Sequence, residues 1–250
     1  MVELIPTDTS SRENSSKRVL VIIPVHNEVH TIAKIIDEVR TCVPESDVLV
    51  IDDASTDGSS EAARLQRAIV VGLPFNLGIG GAVQTGFKLA TQQGYDVVVQ
   101  VDGDGQHDPS YIKDLVEPII KGSTDISIGS RHLLGGNSKS SITREAGMRF
   151  FSWLTSCLTS VKVTDCSSGF RALGKKAFTL FSEQYPVDFP DAEALISAHR
   201  AGLRISEIPV KFRPRENGHS SLHSWRLLYY PFKETFSILI SVTHRPSHAA

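Results

Sequence analysis

Short aliphatic, β-branched runs alternate with helical periodicity through the first half of the chain. Val19, Leu20, Val21, Ile22 and Ile23 form one run, and positions 48–51, 69–71, 97–101 and 126–128 repeat the pattern. Each run is continuous rather than alternating, as expected of strands buried on both faces. Between them Val29, Ile32, Ile36 and Val39 recur at helical spacing, as do Val83, Phe87 and Ala90. Ile112, Leu115 and Ile119 mark a further helix, with Asp108 as its N-cap and Pro109 at its first position. Strand and helix in alternation predict an α/β fold with a mostly parallel central sheet flanked by helices.

The second half is less regular. Positions 135–141 read as a loop, and 144–161 as a helix carrying Phe150, Phe151, Trp153, Leu154 and Leu158. Positions 205–212 read as a strand and 213–221 as a polar loop. Residues 1–16, polar and without an apolar run, are expected to be a disordered tail, with one domain over 17–221. The remainder, 222–250, reads as an amphipathic segment and tail. Its most apolar stretch, 227–242, is interrupted by Pro231, Lys233 and Glu234, so no transmembrane helix is expected.

In parallel sheets, ligands bind beyond the carboxyl ends of the strands. Polar clusters stand at or soon after the end of every run in the first half: Pro24-Val25-His26-Asn27-Glu28, Asp52-Asp53-Ala54-Ser55, Asn76-Leu77-Gly78, Asp102-Gly103-Asp104-Gly105-Gln106 and Gly129-Ser130-Arg131. Five clusters at five strand ends define one rim. Asp102 and Asp104 repel each other unless a cation sits beside them, and hard carboxylate oxygens with Gln106 suit Mg²⁺ or Mn²⁺. An isolated Asp-x-Asp is common turn material; the place of this one at a central strand end favours a cation site. A carboxylate of the Asp52-Asp53 pair can accept from a nucleobase N–H or a ribose hydroxyl. Its neighbours Ser55 and Asp57 are also candidate helix caps, and Glu28 either meets ligand or favours the positive end of its helix. Arg131 offers a fork suited to phosphate, or to a salt bridge.

Composition narrows the classes. A 250-residue chain with 40% apolar and 22% charged residues is ordinary globular material. Its formal net charge of −2 gives no basic stripe for nucleic acid. Three cysteines without a Cys-x-x-Cys pair suit a reduced, cytoplasmic setting. Gly78-Ile79-Gly80-Gly81 lacks the third glycine of a dinucleotide fingerprint, since position 83 is Val83, and no P-loop is present. These glycines are expected instead to allow close backbone approach at a helix start. No His/Cys pattern suits zinc, and His107, His199 and His244 read as surface or satisfied residues.

The ordered motifs resemble the inverting family 2 glycosyltransferases of GT-A fold, in particular their dolichol-phosphate mannosyltransferase-like, polyprenyl-phosphate branch. Beyond the rim clusters, Asp165 with Ser168-Gly169-Phe170-Arg171, and Glu207-Ile208-Pro209-Val210, continue the likeness, which spans about 17–221. The resemblance implies a nucleotide-diphosphate sugar donor, of GDP-mannose or UDP-glucose type. Its base and ribose would lie among Pro24, Val25, His26, Asn27, Glu28, Ile51 and Asp53. Asp102, Gly103 and Arg131 would meet the diphosphate, and Asp102, Asp104 and Gln106 the metal. Arg215 and Ser220, in Arg215-x-x-Gly218-x-Ser220, would close on phosphate groups. Two departures stand out: His26 replaces a frequent tyrosine, and Ser221 replaces the basic residue that usually follows the loop serine.

The implied reaction is transfer of a hexose to a polyprenyl or dolichyl phosphate, with Arg215 supporting the leaving group. Transfer to a glycan or soluble hydroxyl is the alternative, and a non-catalytic nucleotide-sugar binder a distant third. A hydroxyl acceptor needs a base, for which Asp165, Asp191 and Glu193 are candidates, unless they merely occupy helix starts. The 144–161 helix and the 225–242 segment offer peripheral contact with a membrane's cytoplasmic face; core or dimer packing is the other reading, with core favoured for most of those residues.

Overall fold

The computed structural model describes residues 17–133, 142–159, 161–186 and 191–214. The expected tail (1–16), the loop at 135–141, Arg215, Gly218, Ser220 and Ser221, and the 222–250 segment lie outside the described residues.

Strands β1 (Val19–Val25), β2 (Asp47–Asp52), β3 (Ile69–Gly72) and β4 (Val97–Gln100) form a parallel half-sheet. Helices α1 (Ile32–Cys42), α2 (Ser59–Leu65) and α3 (Gly78–Gln92) connect them. A 3₁₀ turn, Pro109–Tyr111, leads into α4 (Ile112–Ile120), and the Asp108 carboxylate accepts the Ser110 N–H at 3.1 Å as the cap. Then follow β5 (Ile126–Ser130), α5 (Ile142–Thr159), β6 (Arg171–Gly174), α6 (Lys175–Glu183), α7 (Ala192–Arg200) and β7 (Ile205–Pro209). The sheet order is β3-β2-β1-β4-β6-β5-β7. Only β6 runs against its neighbours, so the sheet is mostly parallel, as the pattern predicted.

Continuous apolar runs let each central strand feed two cores. Leu20 and Ile22 face one way, with Leu49, Ile51, Phe87 and Phe178, while Val21 and Ile23 face the other, with Ile36, Val50 and Leu115. Helices α3, α5, α6 and α7 cover the first face, and α1, α2 and α4 the second. At Gly86 an added Cβ would come within 3.1 Å of the Ile22 side chain, so α3 packs closely on β1 and a larger residue there requires Ile22 to shift.

Two expectations are corrected. The strand expected over 205–212 ends at Pro209; Val210 still donates to the Ser130 carbonyl at 3.1 Å, after which the chain leaves the sheet. Helix α5 does not bury its aromatics as a set. Phe151 is in the core, whereas Phe150 and Trp153 are 47% and 61% exposed, because positions three apart share the outward face. Strand β6 and helix α6 carried no clear sequence signal.

Packing of this kind predicts a sharp contrast. Ile22→Ala should lower the unfolding free energy in urea by about 2–5 kcal/mol. Leu65→Ala, at an 83% exposed position, should change it by no more than about 0.5 kcal/mol.

Candidate active site

The order of strands reverses between β1 and β4, and the polar clusters meet there. Val25 pairs with Asp52 across the β1–β2 ladder, and the Asp53 N–H extends it to the Val25 carbonyl at 2.8 Å. On the other side, Val101 donates to the Ile22 carbonyl at 3.0 Å, so the 102–106 turn begins beside the end of β1. A Cβ on Gly103 would lie 3.1 Å from the Pro24 carbonyl oxygen. Thr31 locks this contact by donating to the Gly103 carbonyl at 2.6 Å. The 24–28, 52–53 and 102–106 turns therefore meet at one end of the sheet.

The first two turns are interlocked. Asn27 and Ala54 both adopt left-handed backbone conformations, at φ 58° each, which is ordinary for asparagine and costly for alanine. Asn27 repays this by donating its N–H to Ser55 Oγ and accepting the Thr56 N–H on its side-chain oxygen. Glu28 and Val29 donate their backbone N–H groups to Ser59 Oγ and Asp57. Asp57 also accepts from Ser59; burial would raise this carboxyl, but the hydrogen bonds outweigh it and hold the group below its ordinary value.

His26 Nδ1 lies 2.7 Å from the Asp53 carbonyl oxygen, which can only accept, so Nδ1 carries the proton. Nε2 then accepts from the Asn27 amide at 3.2 Å. With both nitrogens engaged by protein, the exposed imidazole offers a ligand chiefly its faces. Asp53 is 4% exposed, and its two oxygens accept the Leu77 and Gly78 N–H groups at 2.7 and 2.9 Å. The carboxylate thus serves the start of α3, where the helix dipole favours negative charge. Gly78 turns the chain there with φ +76°, and a Cβ on Gly81 would come within 2.6 Å of Leu77. Those glycines permit close approach, as expected.

Gln100 Nε2 donates to one Asp102 oxygen at 3.1 Å. Above the carboxylate stands Gly169, where a Cβ would come within 3.1 Å of both Asp102 oxygens. That missing side chain keeps the carboxylate open. Asp104 accepts the Gln106 N–H at 3.0 Å, which tightens the turn. His107, read from sequence as surface or satisfied, is 3% exposed and belongs to the site. Its Nδ1 accepts the Asp102 N–H at 3.0 Å, and its ring stacks on Phe170 with centroids 4.9 Å apart.

Arg131 forks onto Asp165 with two 2.7 Å bonds and also reaches Ser167 Oγ at 3.0 Å. Burial would raise the Asp165 carboxyl, but its hydrogen bonds and charge pairing with Arg131 outweigh this and hold it below the usual range. Glu207 grips the same turn from β7, accepting the Thr164 and Asp165 N–H groups at 2.8 and 2.9 Å. Arg171, also buried, donates to the Ser168 and Cys166 carbonyls at 2.7 Å. It lies near Asp191, just before α7, whose carboxyl is pushed up to about 6 by burial; Arg171 opposes the shift, and Asp102 and Asp165 add to it. Glu193 follows in the first turn of α7.

Among the described residues no three carboxylate, imidazole or thiolate groups converge as a ready metal cage. Two carboxylates in an open cradle nevertheless fit Mg²⁺ or Mn²⁺, which complete their shells with phosphate oxygens and water. Asp191 feels the charges of Asp102 and Asp165 as well as those of Arg171 and Arg131, so acidic and basic groups are crowded together beside this turn.

A family model described as Glycosyl transferase family 2 matches residues 20–181. The undecaprenyl-phosphate mannosyltransferase of Micrococcus luteus is 34% identical over 220 residues, covering 82% of this chain and 87% of that protein. A UDP-N-acetylglucosamine–dolichyl-phosphate N-acetylglucosaminyltransferase of Methanococcus voltae is 30% identical over 217 residues, covering 79% and 86%. Among solved structures, glucosyl-3-phosphoglycerate synthase from Mycobacterium tuberculosis, in complex with Mn²⁺ and UDP-glucose, superposes with a TM-score of 0.67. At 22% identity over 93% of this chain and 81% of that one, the likeness establishes the GT-A fold.

The elevated Asp191 carboxyl gives a stability prediction in EDTA. Its folded value of about 6 exceeds an unfolded value of about 3.9, so the folded state holds its proton longer. Stability is therefore lost as pH rises from about 4 to about 6. Asp191→Asn should remove that loss, leaving a variant about 1 kcal/mol more stable than wild type at pH 7.5 and equal to it below pH 4, as read from urea melts across pH.

Proposed function

The chain belongs to glycosyl transferase family 2, and from that membership we propose that it moves a hexose from a nucleotide-diphosphate sugar to a polyprenyl phosphate. The observation that carries the reading is the meeting of the 24–28, 52–53 and 102–106 turns at the sheet's switch point, under the gap left by Gly169. Two relatives named for undecaprenyl and dolichyl phosphate support the acceptor class.

In this reading the nucleobase rests against the His26 ring, beside Pro24 and Ile51, with the ribose toward Glu28. Asp53 acts mainly by fixing the start of α3 at the pocket wall. Asp102, Asp104 and Gln106 hold a divalent cation, which when bound offsets the charge of the departing diphosphate. A phosphate oxygen of the acceptor attacks the anomeric carbon in line. The carbon–oxygen bond to the diphosphate breaks, its electron pair leaves with the nucleotide, and configuration inverts. An ionised phosphate needs no base. Arg131 and Asp165, locked together, set the acceptor-side wall, while Arg215 and Ser220 are assigned to phosphate by resemblance alone.

A second reading is favoured by one observation. Asp191, held at about 6, is suited to take a proton near neutrality, as a hydroxyl acceptor would require. No helix among the described residues is long and apolar enough to cross a membrane.

Labelled UDP-glucose or GDP-mannose, Mn²⁺ and polyprenyl phosphate distinguish the two. Label should enter the organic phase, and Asp191→Asn should retain most of that activity. Label confined to a water-soluble acceptor, and lost in Asp191→Asn, would establish the hydroxyl reading instead. Separately, Asp104→Ala should abolish the Mn²⁺-dependent part of donor thermal stabilisation and lower turnover at least about a hundredfold. Metal-dependent donor binding that survives in a folded Asp104→Ala protein would refute the cation site.

A further inference from the structure

The segment leaving β7 makes a group of contacts that the proposed chemistry does not itself require. The Arg213 N–H donates to the Gln106 carbonyl at 2.8 Å. Its guanidinium reaches Glu38 of α1 at 2.6 Å and Asp108 at 2.9 Å. One residue earlier, the Phe212 ring meets His107 edge-on with centroids 4.8 Å apart, and the Arg131 guanidinium sits 4.7 Å above it. His107 in turn accepts the Asp102 N–H. Both ends of the 102–106 turn are therefore held from the same two residues. The entry is held through Phe212 and His107, and the exit through the Gln106 carbonyl.

We propose that Arg213 is a positioning residue for the cation-binding turn. Its side chain, anchored to α1 on one side and to Asp108 on the other, fixes where its own N–H and the Phe212 ring press on the turn. The spacing of Asp102 and Asp104 follows from that. The inference rests on the reading of those aspartates as cation ligands. Partly exposed ion pairs contribute little to global stability, and both Arg213 pairs are partly exposed. A cation cradle, by contrast, tolerates displacements of only about half an ångström. The clamp should therefore register in cation affinity far more than in folding.

The test is a titration of the full chain with Mn²⁺, free ion being read by electron paramagnetic resonance, with UDP and separately with GDP. Arg213→Met should weaken nucleotide-dependent Mn²⁺ binding about tenfold, the usual effect of removing a group that orients metal ligands. Arg213→Lys should recover part of the loss, and Glu38→Gln should show a smaller loss, while the melting midpoint in EDTA barely moves. A folded Arg213→Met protein that binds as wild type does would overturn the inference. So would a failure of Lys to improve on Met. If Arg213→Met does not fold, Glu38→Gln decides alone, and unchanged affinity there counts against the clamp. Wild type that binds no Mn²⁺ with either nucleotide would remove the cation reading itself, a result distinct from the others.

Discussion

Carboxylates crowded at the lip of a parallel sheet repel one another, and much of this molecule is arranged to keep them there. The backbone supplies the crowding, because β1 and β4 are neighbours and the turns beyond them have no room to separate. Two guanidinium groups offset part of the repulsion: the partly buried Arg131 holds Asp165, and the buried Arg171 lies close to Asp191. A divalent ion beside Asp102 and Asp104 would offset further repulsion. Burial raises the Asp191 carboxyl, Arg171 opposes the rise, and the neighbouring Asp102 and Asp165 add to it.

The parallel half of the fold was legible because β1, β2 and β4 are buried on both faces and so read as unbroken aliphatic runs, while the edge strand β3 keeps such a run although it is only partly buried. Strand β6 was not, since its four residues include a buried arginine and follow a Ser-Gly pair that resembles a turn. Helix α6 begins on two exposed lysines and lacks a side-chain cap. The aromatics of α5 misled for a different reason. Composition marks a residue as apolar, but only the helix's orientation decides whether Phe150 or Phe151 faces inward.

At the site, sequence order identified the turns and left their division of labour open. Asp53 reads as a candidate ligand, and the structure shows that it also accepts the first N–H groups of α3; Arg131 reads equally as a phosphate contact or a salt bridge, and the structure pairs it with Asp165. Neither distinction is visible in one dimension, because the partners lie 24 and 34 positions away. His107 was passed over for want of a zinc pattern, although its place immediately after the acidic turn was a usable signal. Arg213 had none, since Glu38 lies 175 positions distant.

The antiparallel insertion of β6 has a consequence for how the chain is made. Residues 126–130 leave the ribosome long before either of their sheet neighbours, 171–174 and 205–209, has been synthesised. The parallel half can assemble early, but β4 keeps a bare edge and β5 waits without a partner through some forty residues of elongation, until β6 is made. Nascent chains stalled within that interval would be the species most in need of a chaperone.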